Sequence, residues 1–366
     1  MGDESKEIGQ ADLRAAVAAG LLSEAQAAGV AAIAHDRAGK RASMPAEDEP
    51  FEFFKGFSEI FVSVGLLILL AGISLLLSWL GGVTMLIALP AISAAICWWW
   101  ANYFTLDRRM NLPSMVLAAA FGGGVYVSAF TMLVQGSLPD RGTVILSALV
   151  AMAGMGLWYR RFRLPFSMFI LGLFGLTAIY ALTASLEAVA GMRSGMGGVF
   201  FDLLNSPQFS LATLIFGIFA FVGGMWFDIR DPYRLGRHAA TAFWLHLLAA
   251  PALVNTVAMT LYNIGGNAGM TATAAALALI AVLALVIDRR SFLTAGIVYI
   301  ALVISWVVRG DAGASIGHWA LILLILGAFV TALGTWWVPL RSRLMRALPD
   351  FPGKDRLPPY GASDPA

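Results

Sequence analysis

From residue 57 to residue 339 the chain alternates long apolar runs with short polar breaks. Apolar runs of about 20 residues have the length of a helix crossing the bilayer core. Ten are predicted, at roughly 57–80, 83–103, 114–135, 142–159, 166–189, 210–227, 239–262, 271–287, 292–308 and 318–338. The narrowest break is a tight turn at 80–83. The expected fold is an all-α polytopic membrane protein, with a ten-helix transmembrane bundle over 57–339.

The pattern differs before residue 57. "ADLRAAVAAGLLSEAQAAGVAAIAHDRAGKRA" reads as two short Ala-rich helices, since Ala is the best helix former. Gly20 suits the left-handed position that stops the first helix. Ser23 and Gln26 form an S-x-x-Q capping box for the second. Residues 1–43 are therefore expected to form a small helical hairpin, and 44–56 an acidic, Pro-bounded linker. Residues 340–366 read as a basic, then Pro-rich tail that begins as a short interfacial helix and ends disordered.

Composition sharpens the membrane reading. The chain of 366 residues is 59% hydrophobic and 13% charged, with mean hydropathy +0.78, where a soluble domain is about 25% charged. The charges crowd into the two ends. A net charge of +2 gives no reason to expect a nucleic-acid partner. Cys97, the single cysteine, excludes a disulfide framework within the chain and any Cys-based metal spacing. A signal peptide would place its apolar stretch within about the first 30 residues, so the first span reads as a retained anchor.

Arginine placement sets a topology. The second connection carries Arg108 and Arg109, and the fourth Arg160, Arg161 and Arg163. The sixth carries Arg230, Arg234 and Arg237, and the eighth Arg289 and Arg290. The intervening connections carry only Arg141, Arg193 and Arg309. This alternation follows the positive-inside rule. Arg341, Arg343 and Arg346 in the tail agree with it, so both termini are expected in the cytoplasm.

The basic turns resemble one another. "TLDRRMNLPSMV" at 105–116 and "WYRRFRLPFSMF" at 158–169 share Arg-Arg, a short gap, Leu-Pro and Ser-Met. "VIDRRSFLTAGI" at 286–297 and "MWFDIRDPYRLGRHAAT" at 225–241 are looser versions. Aromatic residues precede arginines in "WWWANYF" at 98–104, "LWY" at 157–159, "MWF" at 225–227 and "TWW" at 335–337. Duplication of a two-helix hairpin explains this. So does convergence, because Trp and Tyr favour the headgroup level and Pro suits the first turn of a helix.

Small residues cluster in "FGGG" at 121–124, "AMAGMG" at 151–156, "LGLFG" at 171–175 and "FVGG" at 221–224. Inside a membrane, packing energy comes from close backbone approach through such residues.

Ionisable and polar groups inside the spans are functional candidates by default. His246 lies about 12 Å along the seventh span, and Asn255 nine residues later falls on nearly the opposite helix face. Gln135 ends the third span, and Glu187 lies near the outer end of the fifth. These four form the candidate intramembrane polar site. Glu59, one turn after Lys55, reads as a local ion pair or an interfacial residue. "GASIG" at 313–317 matches G-x-S-x-G, but that motif needs a strand-to-helix elbow. Here it joins two apolar helices and reads as a Gly-Ser loop. The outer connection "GMRSGMGGVFFDLLNSPQF" at 191–209 is long enough to cover the bundle's outer end and meet a ligand there. No metal, phosphate-loop or dinucleotide motif occurs. No catalytic residue, metal or cofactor is expected.

"AAGLLSEAQAAGV" resembles the opening of a widespread family of uncharacterised bacterial membrane proteins, a domain of unknown function. Its members begin with a helical hairpin carrying Gly-Leu-Ile-Ser/Thr-x-x-Gln-Ala and continue into eight to ten spans. "FGGGVYVSAFTMLVQGSLPD" resembles their third span. The resemblance covers Asp12 to about Tyr180 and departs at the acidic linker. It implies a fold and a bacterial inner-membrane location, not an activity. The functional expectation is a non-catalytic scaffold, sensor or assembly partner. Its partners are the lipid bilayer and a cytoplasmic protein recognised through residues 12–38. The alternative is a transporter or permease for a small or apolar solute.

Overall fold

The structure is a computed structural model that describes residues 10–23, 26–27, 30, 56–136, 139–183, 200–232, 234, 236–309, 316–358 and 360. The chain divides into two compact units, Met1–Asp48 and Glu49–Ala366.

In the first unit, α1 spans Gln10–Ala18. It ends in a Schellman motif: Gly20, at φ +69°, donates to Val17 O, and Leu21 N donates to Ala16 O. The capping box forms as the sequence requires. Ser23 N lies 2.9 Å from Gln26 Oε1 and Gln26 N lies 3.2 Å from Ser23 Oγ. The body of the expected second helix, and the acidic linker except for Gly56, lie outside the described residues.

The second unit is helical, with no strand among the described residues. Its elements are α2 Phe57–Ala101, α3 Asn111–Leu133, α4 Asp140–Phe162, α5 Phe166–Thr183, α6 Pro207–Asp228 and α7 Arg237–Asn263. There follow α8 Gly266–Ile287, α9 Ser291–Arg309, α10 Ile316–Thr335 and α11 Trp337–Ala347. Among the described residues, seven helices are long and apolar enough to cross a membrane, the first being Phe57–Trp79 within α2. An eighth arises if α10 and α11, bent by 70° to each other, count as one span. The bend follows from composition: α11 carries Arg341, Arg343 and Arg346, so it turns away from the apolar direction of α10.

The turn expected at 80–83 is not a loop, because α2 is helical throughout. It nevertheless folds back. A straight helix of its length would be about 67 Å long. Glu59, near its start, accepts hydrogen bonds from Asn111 N (3.0 Å) and Leu112 N (3.1 Å). Asn102, just past its end, accepts one from Arg161. Met110 N is bonded to Phe104 O at 3.0 Å, which ties Asn111 to the same place. Both ends of α2 thus lie at one end of the bundle. Leu66 and Leu70 of its first limb share a core with Ala94 and Cys97 of its second.

Glu59 departs from the sequence expectation. It is buried, and its carboxylate caps the start of α3, where unpaired backbone N–H groups and the helix dipole favour a negative charge. Lys55 lies outside the described residues.

Two cores fill the bundle. One gathers α2 to α5 around Trp98, Phe121, Trp158 and Phe162. The other gathers α6 to α9 and Trp337 around Leu248, Val254, Leu277 and Phe292. Phe169 of α5 packs against both. The glycine clusters do what their composition predicts. A Cβ on Gly124 would stand 2.7 Å from Pro90 O, and one on Gly172 would stand 2.4 Å from Leu248 Cδ1.

Among the described residues, each of the four basic turns holds one non-glycine residue at positive φ: Arg109 (52°), Arg163 (53°), Arg234 (53°) and Asp288 (58°). Helices resume at Asn111, Phe166, Arg237 and Ser291. When the first two copies are aligned on Arg-Arg and Leu-Pro, Arg163 falls opposite Asn111, not Arg109. A π-helical stretch at Asn102–Asp107 precedes the first turn. The letters repeat more closely than the backbone does.

Candidate functional site: a buried ion cluster

The basic end of the bundle encloses charges that are not at the surface. α6 ends on Asp228, whose side chain is almost wholly buried. After a short turn α7 begins at Arg237. Asp231 caps it by accepting from Gly236 N at 2.7 Å and Ala239 N at 3.3 Å. Nine residues into α7, His246 has no exposure and its Nε2 lies 2.9 Å from Asp228 Oδ2. From the turn between α8 and α9, Arg289, also without exposure, donates through Nε to Asp228 Oδ2 at 3.2 Å and through Nη2 to Asp228 Oδ1. Its Nη2 also donates to Ala239 O at 3.3 Å. The carboxylate therefore accepts from an imidazole and a forked guanidinium, the arrangement that stabilises a buried anion best.

A second group adjoins the first through the backbone at 288–289. Asp288 Oδ2 lies 3.2 Å from Arg234 Nη1, and Asp288 Oδ1 accepts from Trp337 Nε1 at 2.7 Å. Arg341 Nε lies 3.7 Å from Asp288 Oδ1 and donates to Leu285 O at 3.0 Å. Arg341 Nη2 donates to Pro358 O at 2.6 Å, and Lys354 Nζ donates to Leu348 O at 2.8 Å. The tail, expected to begin as a short helix and to end disordered, thus folds back as far as Pro358, because buried guanidinium and ammonium groups need carbonyl partners. In all, three arginines face two aspartates, linking α6, α7, the α8–α9 turn, α11 and the tail.

His246 is fully buried and closely packed. Its ring contacts Phe221 and Phe292 edge-on, and a Cβ on Gly224 would stand 2.8 Å from its Cε1. Among the described residues no three His, Cys, Asp or Glu side chains gather as metal ligands.

The four residues of the expected polar site are not brought together. His246 lies in the cluster. Asn255 is half-buried further along α7. Gln135 is exposed and donates to Thr131 O of its own helix at 3.0 Å. Glu187 and the Gly313–Ser315 loop lie outside the described residues. Of the topology arginines, Arg108, Arg109, Arg160, Arg161, Arg163, Arg230 and Arg237 are exposed, while Arg234 and Arg289 are buried ion-pair partners and Arg290 is partly buried. The aromatic residues near the turns also have a use beyond the headgroup level. Arg230 lies 3.2 Å over the Trp226 ring, Arg108 5.4 Å over Tyr103, and Arg290 5.4 Å over Trp337.

At the opposite end, part of the long outer connection packs onto α7. Asp202 accepts from Asn263 Nδ2 at 2.6 Å, from Leu204 N at 2.9 Å and from Asn205 Nδ2. Leu203 N donates to Thr260 Oγ1 at 3.0 Å. Burial pushes the Asp202 carboxyl up, but these hydrogen bonds outweigh it and hold the group below its ordinary value.

No family model, no curated protein and no solved structure matches the chain.

Proposed function

We propose that this chain is a non-catalytic integral membrane protein, a scaffold or assembly partner, that crosses a bacterial inner membrane ten times with both termini in the cytoplasm. Nine and ten crossings come from the second limb of α2 and from α9, added to the eight of the coarser count. The alternating arginines put the basic end inside. The resemblance to the family of unknown function belongs to this reading.

One observation carries it. His246, buried within α7, is locked between a carboxylate and two aromatic rings, in a packed interior. A permease would need that group on a hydrated path. In this reading the ion cluster ties helices and tail into a rigid platform, and residues 12–38 present the partner-binding surface.

Cysteine access tests this. In a Cys97→Ala background, Ala249→Cys lies one helical turn from His246, and Leu204→Cys marks the exposed outer connection. The expected result in sealed vesicles is labelling of the second by a water-soluble maleimide and none of the first. Labelling of a folded Ala249→Cys protein would overturn the packed-interior reading and favour the permease.

A further inference from the structure

We propose that Arg290, with the apolar slots beside it, binds an anionic diacyl phospholipid. The phosphate sits on the guanidinium and the acyl chains lie along α9.

Arg290 stands apart from the ion cluster beside it. Arg234, Arg289 and Arg341 take up the nearby carboxylates and carbonyls. Asp288, the acid adjacent in sequence, is already engaged by Arg234, Trp337 and Arg341. Arg290 has a buried Nη2 with no hydrogen-bond partner among the described residues, and its guanidinium rests over the Trp337 ring. A buried N–H left without an acceptor is costly. An anion is the chemistry that completes it, and phosphate matches the guanidinium fork.

What adjoins Arg290 fixes the class of anion. A slot of about 120 Å³ leads away from it between α9 and α10, lined by Leu293, Ile297, Ile300, Phe329 and Leu333. Ile300 is ten residues beyond Arg290, so the slot follows the helix for roughly 15 Å, long enough for much of an acyl chain. Thr294, the other polar side chain in it, is turned to Ser291 O at 2.9 Å. A second slot of about 180 Å³ shares Leu293, Ile300 and Phe329 and opens toward Leu277 and Ala281 of α8. Two adjoining apolar slots below one cation suit two chains under one phosphate. A free inorganic anion would leave both slots empty, and a protein helix would not answer the charge.

The test uses the full chain in a mild detergent, with melting temperature followed as lipid is added in mixed micelles. Phosphatidylglycerol is expected to raise it saturably, with phosphatidylcholine and inorganic phosphate having little effect. Arg290→Ala is expected to raise the half-maximal phosphatidylglycerol concentration about tenfold or more, the size of one lost charge-assisted bond. Arg343→Ala, a surface arginine at the same end, leaves it unchanged. Gly334→Leu fills the first slot without touching the charge, since a Cβ there meets nothing within 4 Å; it should weaken the lipid effect on its own. That variant decides the matter if Arg290→Ala does not fold. Wild-type lipid response in either variant overturns the proposal. So does an equal loss with Arg343→Ala, an equal effect of phosphatidylcholine, or a full shift with phosphate alone.

Discussion

Arg289 Nε lies 3.2 Å from Asp228 Oδ2, across 61 residues of sequence. The pair joins the end of one apolar helix to the turn between two others, in a place with no access to solvent. Water is the usual partner of such groups, so here each takes its hydrogen bonds from the other. The chain positions them by ending α6 on an acid and by placing Asp288 in a left-handed turn that directs the next side chain inward.

Removing one member should therefore hurt more than removing both. Asp228→Ala leaves Arg289 buried without its carboxylate, and a loss of about 3–5 kcal/mol is expected. The double variant Asp228→Leu with Arg289→Met should recover much of that, because apolar groups of similar size replace a buried pair at little cost. Thermal or denaturant unfolding in detergent reads both. A double variant as unstable as the single one would show that the cluster does more than hold helices together.

Glycine positions give a paired test of packing. Gly124→Ala drives a methyl against the Pro90 carbonyl, so α2 and α3 must separate; about 1–3 kcal/mol should be lost. Gly123→Ala meets nothing within 4 Å and should gain up to about 1 kcal/mol from helix propensity. Opposite signs one residue apart, in the same unfolding assay, confirm the close approach of the two helices.

Glu59 provides a cap from a distant part of the chain. Glu59→Ala should cost about 1 kcal/mol or more, while Glu59→Gln, which keeps an acceptor oxygen, should cost less. Amide exchange at Asn111 and Leu112 should quicken in the alanine variant and little in the glutamine one.

Acid should loosen the outer connection. The folded Asp202 carboxyl titrates below its ordinary 3.8, so its contribution is complete above that value and is lost as pH falls through the lower folded value. Limited proteolysis around 200–206 should accelerate in that acid range for wild type. Asp202→Asn should cleave at a rate that no longer depends on pH there.

Much of this was legible from residue pattern. The apolar runs, the basic turns, the Gly20 stop and the Ser23–Gln26 box each rest on local rules of period, charge and capping, and each local rule works within a few residues. The ion cluster was not legible in that way. His246 stands out because a histidine in an apolar run is unusual, but its partner Asp228 ends a helix 18 residues away, and Arg289, which shares that carboxylate, lies 43 residues away. Asp228 and Asp288 gave one overlooked signal: both are acids at the end of an apolar helix, beside arginines that the positive-inside rule already accounts for. Reading those arginines only as topology markers hid the fact that two of them are needed indoors. The left-handed residues are likewise absent from the letters, since three of the four are arginines.

The fold-back of α2 has a consequence for how the protein is made. Its limbs meet each other and then α3, α3 meets α4, and α4 meets α5, so every partner in the front core emerges from the ribosome before the rear core exists. The first half can settle as it is synthesised, with Phe169 left as the surface on which the second half docks. The Asp228–Arg289 pair closes only after α8 has emerged, which makes it a late latch on an otherwise sequential assembly.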